Sequence, residues 1–111
     1  MYKQGEIVLI PVPFTDLSSS KKRPVLIISS DKYNTESQDM IVVAITSNPK
    51  QTGISINNTD MIRGQLPKPS IIRSDKIYTL NQGIVVKSIG SISKTVQDSV
   101  KSEICTLIEL S

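Results

Sequence analysis

Short apolar runs rich in β-branched residues recur along the chain, separated by Pro, Gly, Ser and Asn. Because branched side chains favour extended backbone and the separating residues favour turns, each run predicts a β-strand. The six expected strands are residues 6–10, 24–29, 40–46, 53–56, 70–73 and 84–92. The run at 40–46 is almost continuously apolar, which is typical of a strand buried on both faces. Several short strands at this spacing favour a small β-barrel.

One segment has the period of an amphipathic helix instead. Its apolar positions recur at spacings of three and four, at Val96, Val100, Ile104, Leu107 and Ile108. This pattern predicts a helix over residues 95–110 that lays one apolar face on the sheet. Thr95, followed three residues later by Asp98, has the form of a capping box, and Ser93 is a competing N-cap.

Three polar segments separate the strands, at residues 15–23, 31–39 and 57–69. Two prolines and a glycine in the third segment exclude long regular structure but allow one helical turn at residues 60–62. Gly90, inside the last predicted strand, marks a bend or a close approach of two backbones. No repeat or linker divides the chain, so we expect one domain over residues 1–111.

The composition limits the chemistry that is open to the chain. Its 111 residues are 38% hydrophobic and 21% charged, include no histidine, and contain one cysteine, Cys105. These counts exclude an internal disulfide, a zinc site, and nucleophilic catalysis that pairs serine or cysteine with histidine. Cys105 is expected to be a small buried residue of the helix. An enzyme of this composition must use arginine, lysine, carboxylates and hydroxyls.

The apolar runs also indicate where in the cell the protein is expected. The first run, at residues 7–13, is interrupted by Pro11 and Pro13, and no other run reaches the length of a membrane span. We therefore expect a cytoplasmic protein with no membrane contact. Its net charge of +3 permits an anionic partner without requiring one.

Arg23 is the first candidate for chemistry, because it lies where a basic segment enters a predicted strand. Pro24 disfavours helical backbone for the residue before it, so Arg23 is held extended. Its planar guanidinium can present two donors to two phosphate oxygens. The same residue equally fits an ordinary solvated arginine on the surface.

Two further groups of polar residues lie at or near strand ends. The buried strand ends in Thr46, Ser47 and Asn48, and strand ends often present functional groups, although these residues are also ordinary turn formers. Arg73 and Asp75 are two residues apart, so both side chains emerge on one face of a strand. They fit either a proton acceptor beside a charge stabiliser or a simple ion pair.

Ordered sequence motifs resemble those of the MazF/PemK toxins over almost the whole chain. They are GEIVL at residues 5–9, PFTD at 13–16, KRPVLII at 22–28, AITS at 44–47, RSDKI at 73–77 and LIEL at 107–110. The resemblance implies a mainly β fold, an SH3-like small barrel with a C-terminal helix. It also implies a homodimeric toxin that cleaves single-stranded RNA without a metal or cofactor and is held by a small acidic antitoxin.

The resemblance also assigns roles to residues of this chain. In one catalytic scheme of the family the matching residues are Arg23 and Thr46, and in another they are Arg73 and Asp75 beside a loop histidine that this chain lacks. The expected RNA contacts come from Phe14, Ser19, Lys21, Lys22 and Ser47.

Few aromatic side chains are present to stack on bases, with Phe14, Tyr33 and Tyr78 as the candidates. Two other functions remain open at this point. One is a gyrase poison resembling CcdB, which acts by binding a protein, and the other is a non-catalytic barrel that binds nucleic acid.

Overall fold

The computed structural model of the chain describes residues 1–12 and 21–111. This part of the chain contains seven strands and two α-helices: β1 (Glu6–Pro11), β2 (Lys22–Ile27), α1 (Asp31–Glu36), β3 (Asp39–Thr46), β4 (Ile54–Ile56), β5 (Met61–Gly64), β6 (Ser70–Asn81), β7 (Lys87–Ile92) and α2 (Lys94–Leu107). Short 3-10 turns occupy Asn58–Asp60 and Gln82–Ile84. Neither α-helix is both long enough and apolar enough to cross a membrane.

The seven strands form one antiparallel sheet in the order β4-β6-β3-β2-β1-β7-β5. Although β4 and β5 lie at opposite ends of this order, Ile56 of β4 and Met61 of β5 pack in the same apolar cluster. The sheet therefore curls until its two ends share a core, as a half-barrel. The predicted mainly β fold with a C-terminal helix is confirmed.

The two faces of the sheet bury different clusters. Cross-strand pairs such as Ile7 with Leu26 and Leu26 with Val43 share one face, and Val96 and Val100 of α2 pack against it. We call this the helix face. The other face, here called the far face, buries a second and smaller cluster: Val8, Ile10, Val25, Ile27, Met40 and Val42. Adjacent residues of a strand point to opposite faces, which is why Ile7 and Val8 belong to different clusters.

Helix α2 starts at Lys94, one residue before the predicted position. Ser93 is its N-cap: the residue is extended at φ −61° and ψ 154°, and its side chain accepts a hydrogen bond from the Val96 amide at 3.3 Å. The capping box predicted at Thr95 is wrong, because Thr95 already lies inside the first helical turn. The competing interpretation of Ser93 as the cap is confirmed.

The apolar face of α2 packs against the sheet from Val96 to Ile104 but not beyond. The helix ends at Leu107 rather than at residue 110, and Leu107 and Ile108 remain 53% and 69% exposed. Cys105 is exposed too, which contradicts the predicted buried position. The helix extends beyond the sheet that covers its start, so periodicity alone overestimated how much of it is buried.

Two of the three polar segments, at residues 31–39 and 57–69, contain regular structure. Helix α1 is only six residues long, and its N-cap Ser30 accepts a hydrogen bond from the Tyr33 amide. Strand β5 is held by pairing with β7, and the helical turn predicted at residues 60–62 lies slightly earlier, at Asn58–Asp60. Elements this short are stabilised by tertiary contacts more than by local propensity.

Strand β6 extends to Asn81, well beyond the predicted end at residue 73, whereas β7 begins only at Lys87. Gly90 has φ +148°, and a Cβ at this position would lie 2.1 Å from the Arg63 carbonyl oxygen of β5. The pairing of β1 with β7 also shifts register beside this residue. The close backbone approach predicted at Gly90 is therefore confirmed.

Candidate active site

Three strands carry polar residues to the far face. Val25 of β2 is paired with Ala44 of β3, which is paired in turn with Arg73 of β6. Residues directly opposite each other in a sheet share a face, so the Arg73 position is on the far face with Val25. Arg23 precedes Val25 by two residues and Thr46 follows Ala44 by two, so both side chains are also on the far face. Because β2 and β3 are antiparallel, both residues lie toward the same end of the sheet. The structure brings together Arg23, Thr46 and Arg73, which are far apart in the sequence.

The separation of these residues follows from sheet geometry. Neighbouring strands lie about 4.8 Å apart, so β2 and β6 are about 10 Å apart with β3 between them. Thr46, half-buried on the central strand, therefore lies between the strands that carry Arg23 and Arg73. Ala44 has only a methyl group, which leaves the surface between the two arginines shallow.

A large bulge in β6 determines where Asp75 points. Consecutive β3 residues Val43 and Ala44 pair with Ile77 and Arg73, so residues 74–76 have no partner across the strand. Bulges bend a strand and redirect its side chains, and they are common beside active sites. Here Arg73 donates hydrogen bonds from Nε to Asp75 Oδ1 at 3.2 Å and from Nη2 to Asp75 Oδ2 at 3.1 Å. The side chains meet as predicted, but across a bulge rather than along a regular strand.

The charge of Arg73 changes the acid–base behaviour of Asp75. The hydrogen bonds donated by Arg73 are the main reason that the pKa of Asp75 lies below its ordinary value of 3.8. The Asp75 side chain is 47% exposed, so water screens this ion pair. A lowered pKa makes a carboxylate a weaker base near neutral pH, and two occupied oxygens reduce its access to a substrate proton. The geometry favours an orienting role for Asp75.

A second partner holds Arg73 from another part of the chain. Its Nη1 donates a hydrogen bond to Gln51 Oε1, in the turn that joins β3 to β4. Arg73 is thus contacted along more than one edge of its guanidinium, and its side chain is only 21% exposed. Sequence reasoning missed Gln51, because an exposed glutamine in a turn has no signal that distinguishes it.

The hydroxyl of Thr46 is also held within this turn. Thr46 Oγ1 accepts a hydrogen bond from the Asn48 amide at 3.1 Å. The contact uses the oxygen as an acceptor, so the hydroxyl hydrogen is left to donate to another group. Ser47, the other predicted hydroxyl, is exposed at the start of the turn. The ordinary turn chemistry predicted for this segment is present, and Thr46 is on the same face of the sheet as Arg73.

The remaining predicted contacts lie around the basic segment. Lys21, Lys22 and Arg23 are exposed where the chain enters β2. Phe14 and Ser19 lie outside the described residues. Tyr78 packs against the far-face cluster, and Tyr33 lies exposed on α1. These two tyrosines are on different elements and do not form one stacking platform.

A groove of about 380 Å³ lies on another part of the surface, between α2 and the end of β2. Its lining includes Gln4, Ile28, Lys94 and Ile104, and none of the predicted site residues. Within the described ranges, no three residues among Asp, Glu and Cys lie close enough together to hold a metal ion. The candidate chemistry therefore belongs to the shallow far-face surface rather than to this groove.

Two curated relatives are similar to this chain over most of its length. Endoribonuclease MazF2 of Mycobacterium bovis is 28% identical over 93 residues, which cover 82% of each chain. Endoribonuclease MazF6 of Mycobacterium tuberculosis matches with the same identity and coverage.

Solved structures share the fold at lower identity. A mycobacterial endoribonuclease in complex with its cognate antitoxin has a TM-score of 0.75 at 17% identity, covering 99% of this chain and 95% of that one. MazF in a MazE-MazF complex from Deinococcus radiodurans has a TM-score of 0.73 at 17% identity, covering 99% and 97%.

The family model of PemK-like, MazF-like toxins of type II toxin-antitoxin systems matches residues 3–108. This match includes all the strands and helices described above, and it confirms the resemblance carried by the sequence motifs. The chain therefore belongs to the family of PemK-like, MazF-like toxins of type II toxin-antitoxin systems.

Proposed function

We propose that this toxin is a metal-independent endoribonuclease that cleaves single-stranded RNA at short sequence motifs. The observation that carries the proposal is the far-face surface on which β2, β3 and β6 place Arg23, Thr46 and Arg73 together. Membership in the toxin family and the endoribonuclease activity of its curated relatives support the same function. The chain supplies cations and a hydroxyl donor, which is what a phosphate-directed reaction needs.

RNA itself contributes the nucleophile. The 2′-hydroxyl oxygen attacks the adjacent phosphorus, the bond from phosphorus to the 5′ oxygen breaks, and that oxygen gains a proton as the 2′-hydroxyl loses one. The products are a 2′,3′-cyclic phosphate and a 5′-hydroxyl. The protein must align the attacking oxygen and stabilise the negative charge that builds on the phosphate oxygens.

The far-face residues divide these tasks. Arg23 presents its guanidinium to the phosphate from β2, and Thr46 donates its free hydroxyl hydrogen from β3. Arg73 contributes a second positive charge, and the ion pair with Asp75 keeps its guanidinium oriented. Asp75 is the carboxylate among the four predicted catalytic residues, and its lowered pKa limits its strength as a base. Stabilisation of the phosphate charge is therefore the larger part of catalysis at this site.

Binding of RNA depends on charge more than on stacking. Lys21 and Lys22 lie beside Arg23, and a homodimer would present this basic segment twice. The proposed contacts also include Ser47. The other two, Phe14 and Ser19, lie outside the described residues. Phosphate contacts of this kind release counterions, so affinity falls as salt concentration rises.

The regulatory partner we propose is a small acidic antitoxin. The structural relatives include an endoribonuclease bound to its cognate antitoxin and a MazE-MazF complex. An acidic segment that becomes ordered on binding would neutralise the arginines and lysines of the far face. The cytoplasm, where messenger RNA and a protein antitoxin are both present, is the location that we propose for this toxin.

The test is incubation of the purified protein with long RNA in EDTA. Cleavage to fragments with 5′-hydroxyl and cyclic phosphate ends is expected, and a folded Arg23→Ala protein should cleave far more slowly. Intact RNA together with inhibited DNA gyrase would instead support a gyrase poison. RNA that is bound but not cut would support a non-catalytic barrel.

A further inference from the structure

We infer that Gln51 is a positioning residue, which holds the Arg73 guanidinium so that two of its N–H groups face the scissile phosphate. This inference rests on the proposed endoribonuclease function and assigns a role to a residue outside the sequence motifs. It is carried by the hydrogen bonds around Arg73 and by the structure of the turn between β3 and β4.

The donors of Arg73 can be counted. A guanidinium has five N–H groups, one on Nε and two on each Nη nitrogen. Asp75 accepts from Nε and Nη2, and Gln51 accepts from Nη1. One N–H therefore remains on each Nη nitrogen, which is the number that a bidentate contact to two phosphate oxygens requires.

Gln51 is itself held by the turn. Its backbone amide donates to the Asn48 carbonyl at 3.1 Å, and the Asn48 side chain accepts from the Lys50 amide at 3.0 Å. The Asn48 amide donates to Thr46 Oγ1. Hydrogen bonds thus connect Thr46 to Arg73 through the turn, so the two groups that face the phosphate are positioned by one local structure.

The chemistry of glutamine suits this position. Without Gln51, the hydrogen bonds that the described residues make to the guanidinium come from Asp75 alone, and that carboxylate is nearly half exposed. The amide oxygen of glutamine supplies a second acceptor without adding negative charge beside an RNA phosphate. Glutamate would keep the acceptor but repel the substrate, whereas methionine would keep the length and lose the acceptor. These two substitutions separate positioning from charge.

Steady-state cleavage of a defined RNA oligonucleotide tests the inference. For Gln51→Met we expect kcat to fall about 10-fold, because a loosened guanidinium spends less time in the productive geometry. For Gln51→Glu we expect kcat near the parent value and a raised KM, with the increase in KM shrinking as salt is added. Gln65→Met, at an exposed glutamine just after β5, is the matched control and should change neither constant.

Nitrogen NMR of the arginine side chains gives a readout that needs no RNA. In the free parent protein we expect slow exchange between the Nη1 and Nη2 signals of Arg73, and in Gln51→Met we expect faster exchange, because, among the described residues, only the bonds to Asp75 then oppose rotation. Unchanged kcat and KM in Gln51→Met, or an unchanged exchange rate in that variant, would overturn the inference. If the parent protein leaves RNA intact, the proposed function fails, and the NMR comparison alone then decides whether Gln51 restrains Arg73.

Discussion

The two faces of the sheet put the same strands to different uses. On the helix face, Ile7, Leu26 and Ile72 are almost completely buried, and α2 packs on their cluster. On the far face, a smaller cluster supports a surface that carries Arg23 and Arg73. Neighbouring residues of a strand point to opposite faces, so a buried core residue and a candidate site residue can be adjacent in the sequence.

This arrangement explains why Ile72 and Arg73 can be adjacent and yet have unrelated roles. Ile72 loses all contact with water, while Arg73 keeps two N–H groups that donate to no acceptor in the described part of the chain. The hydrogen bonds to Asp75 and Gln51 restrain the Arg73 side chain, which would lower the entropy lost in the proposed contact with a phosphate. Substitutions of buried helix-face residues should therefore change stability, and those of the polar far-face residues should change activity.

The largest effect is expected from Arg23→Ala. Loss of a well-placed donor to the transition state should slow RNA cleavage about 100- to 1,000-fold. The free energy of unfolding should stay within about 0.5 kcal/mol of the parent value, because the side chain is exposed. Single-turnover cleavage and urea unfolding measure the two quantities. A folded variant that cleaves at the parent rate would remove Arg23 from the site.

The matching change on the helix face is Ile7→Ala. Ile7 is 0% exposed, so the cavity should lower the free energy of unfolding by about 2–5 kcal/mol. The rate of RNA cleavage per folded molecule should hardly change. Urea unfolding, combined with kcat corrected for the folded fraction, measures both effects. A large fall in kcat with stability retained would mean that the two faces are not separable.

A smaller effect, with a defined pH dependence, is expected from Asp75→Asn. The pKa of Asp75 is lowered in the folded protein, so the ion pair stabilises the fold above pH 3.8 and loses that contribution as the pH falls below this value. The parent should therefore lose more stability than Asp75→Asn between neutral pH and acid. Urea unfolding across this range measures the difference. A difference in the free energy of unfolding between parent and variant that does not change with pH would contradict the pairing with Arg73.

The smallest effect is expected from Leu107→Ser, at the exposed end of α2. The helix face no longer covers this residue, so the free energy of unfolding should change by no more than about 0.5 kcal/mol. Thermal unfolding at two protein concentrations tests this expectation. A clear loss of stability that depends on concentration would show instead that a second copy of the chain packs on the end of α2.

Much of this molecule followed from local patterns. Runs of β-branched residues predicted five of the strand positions closely enough to recognise a small β fold, and the spacing from Val96 to Ile104 predicted α2. Such patterns work because alternation and helical period record which side chains must leave water. The absence of histidine likewise directed the chemistry to arginine and hydroxyl groups.

Tertiary structure decided the rest. No local pattern shows that β3 lies between β2 and β6, and this order alone places Thr46 between the strands of the two arginines. The bulge that turns Asp75 toward Arg73 depends on pairing with β3, and Gln51 acquires a role only where its turn meets β6. Sequence determines which face of a strand each side chain points to, because that depends on the local backbone. Long-range strand pairing determines which side chains meet, because that depends on how the whole sheet curls.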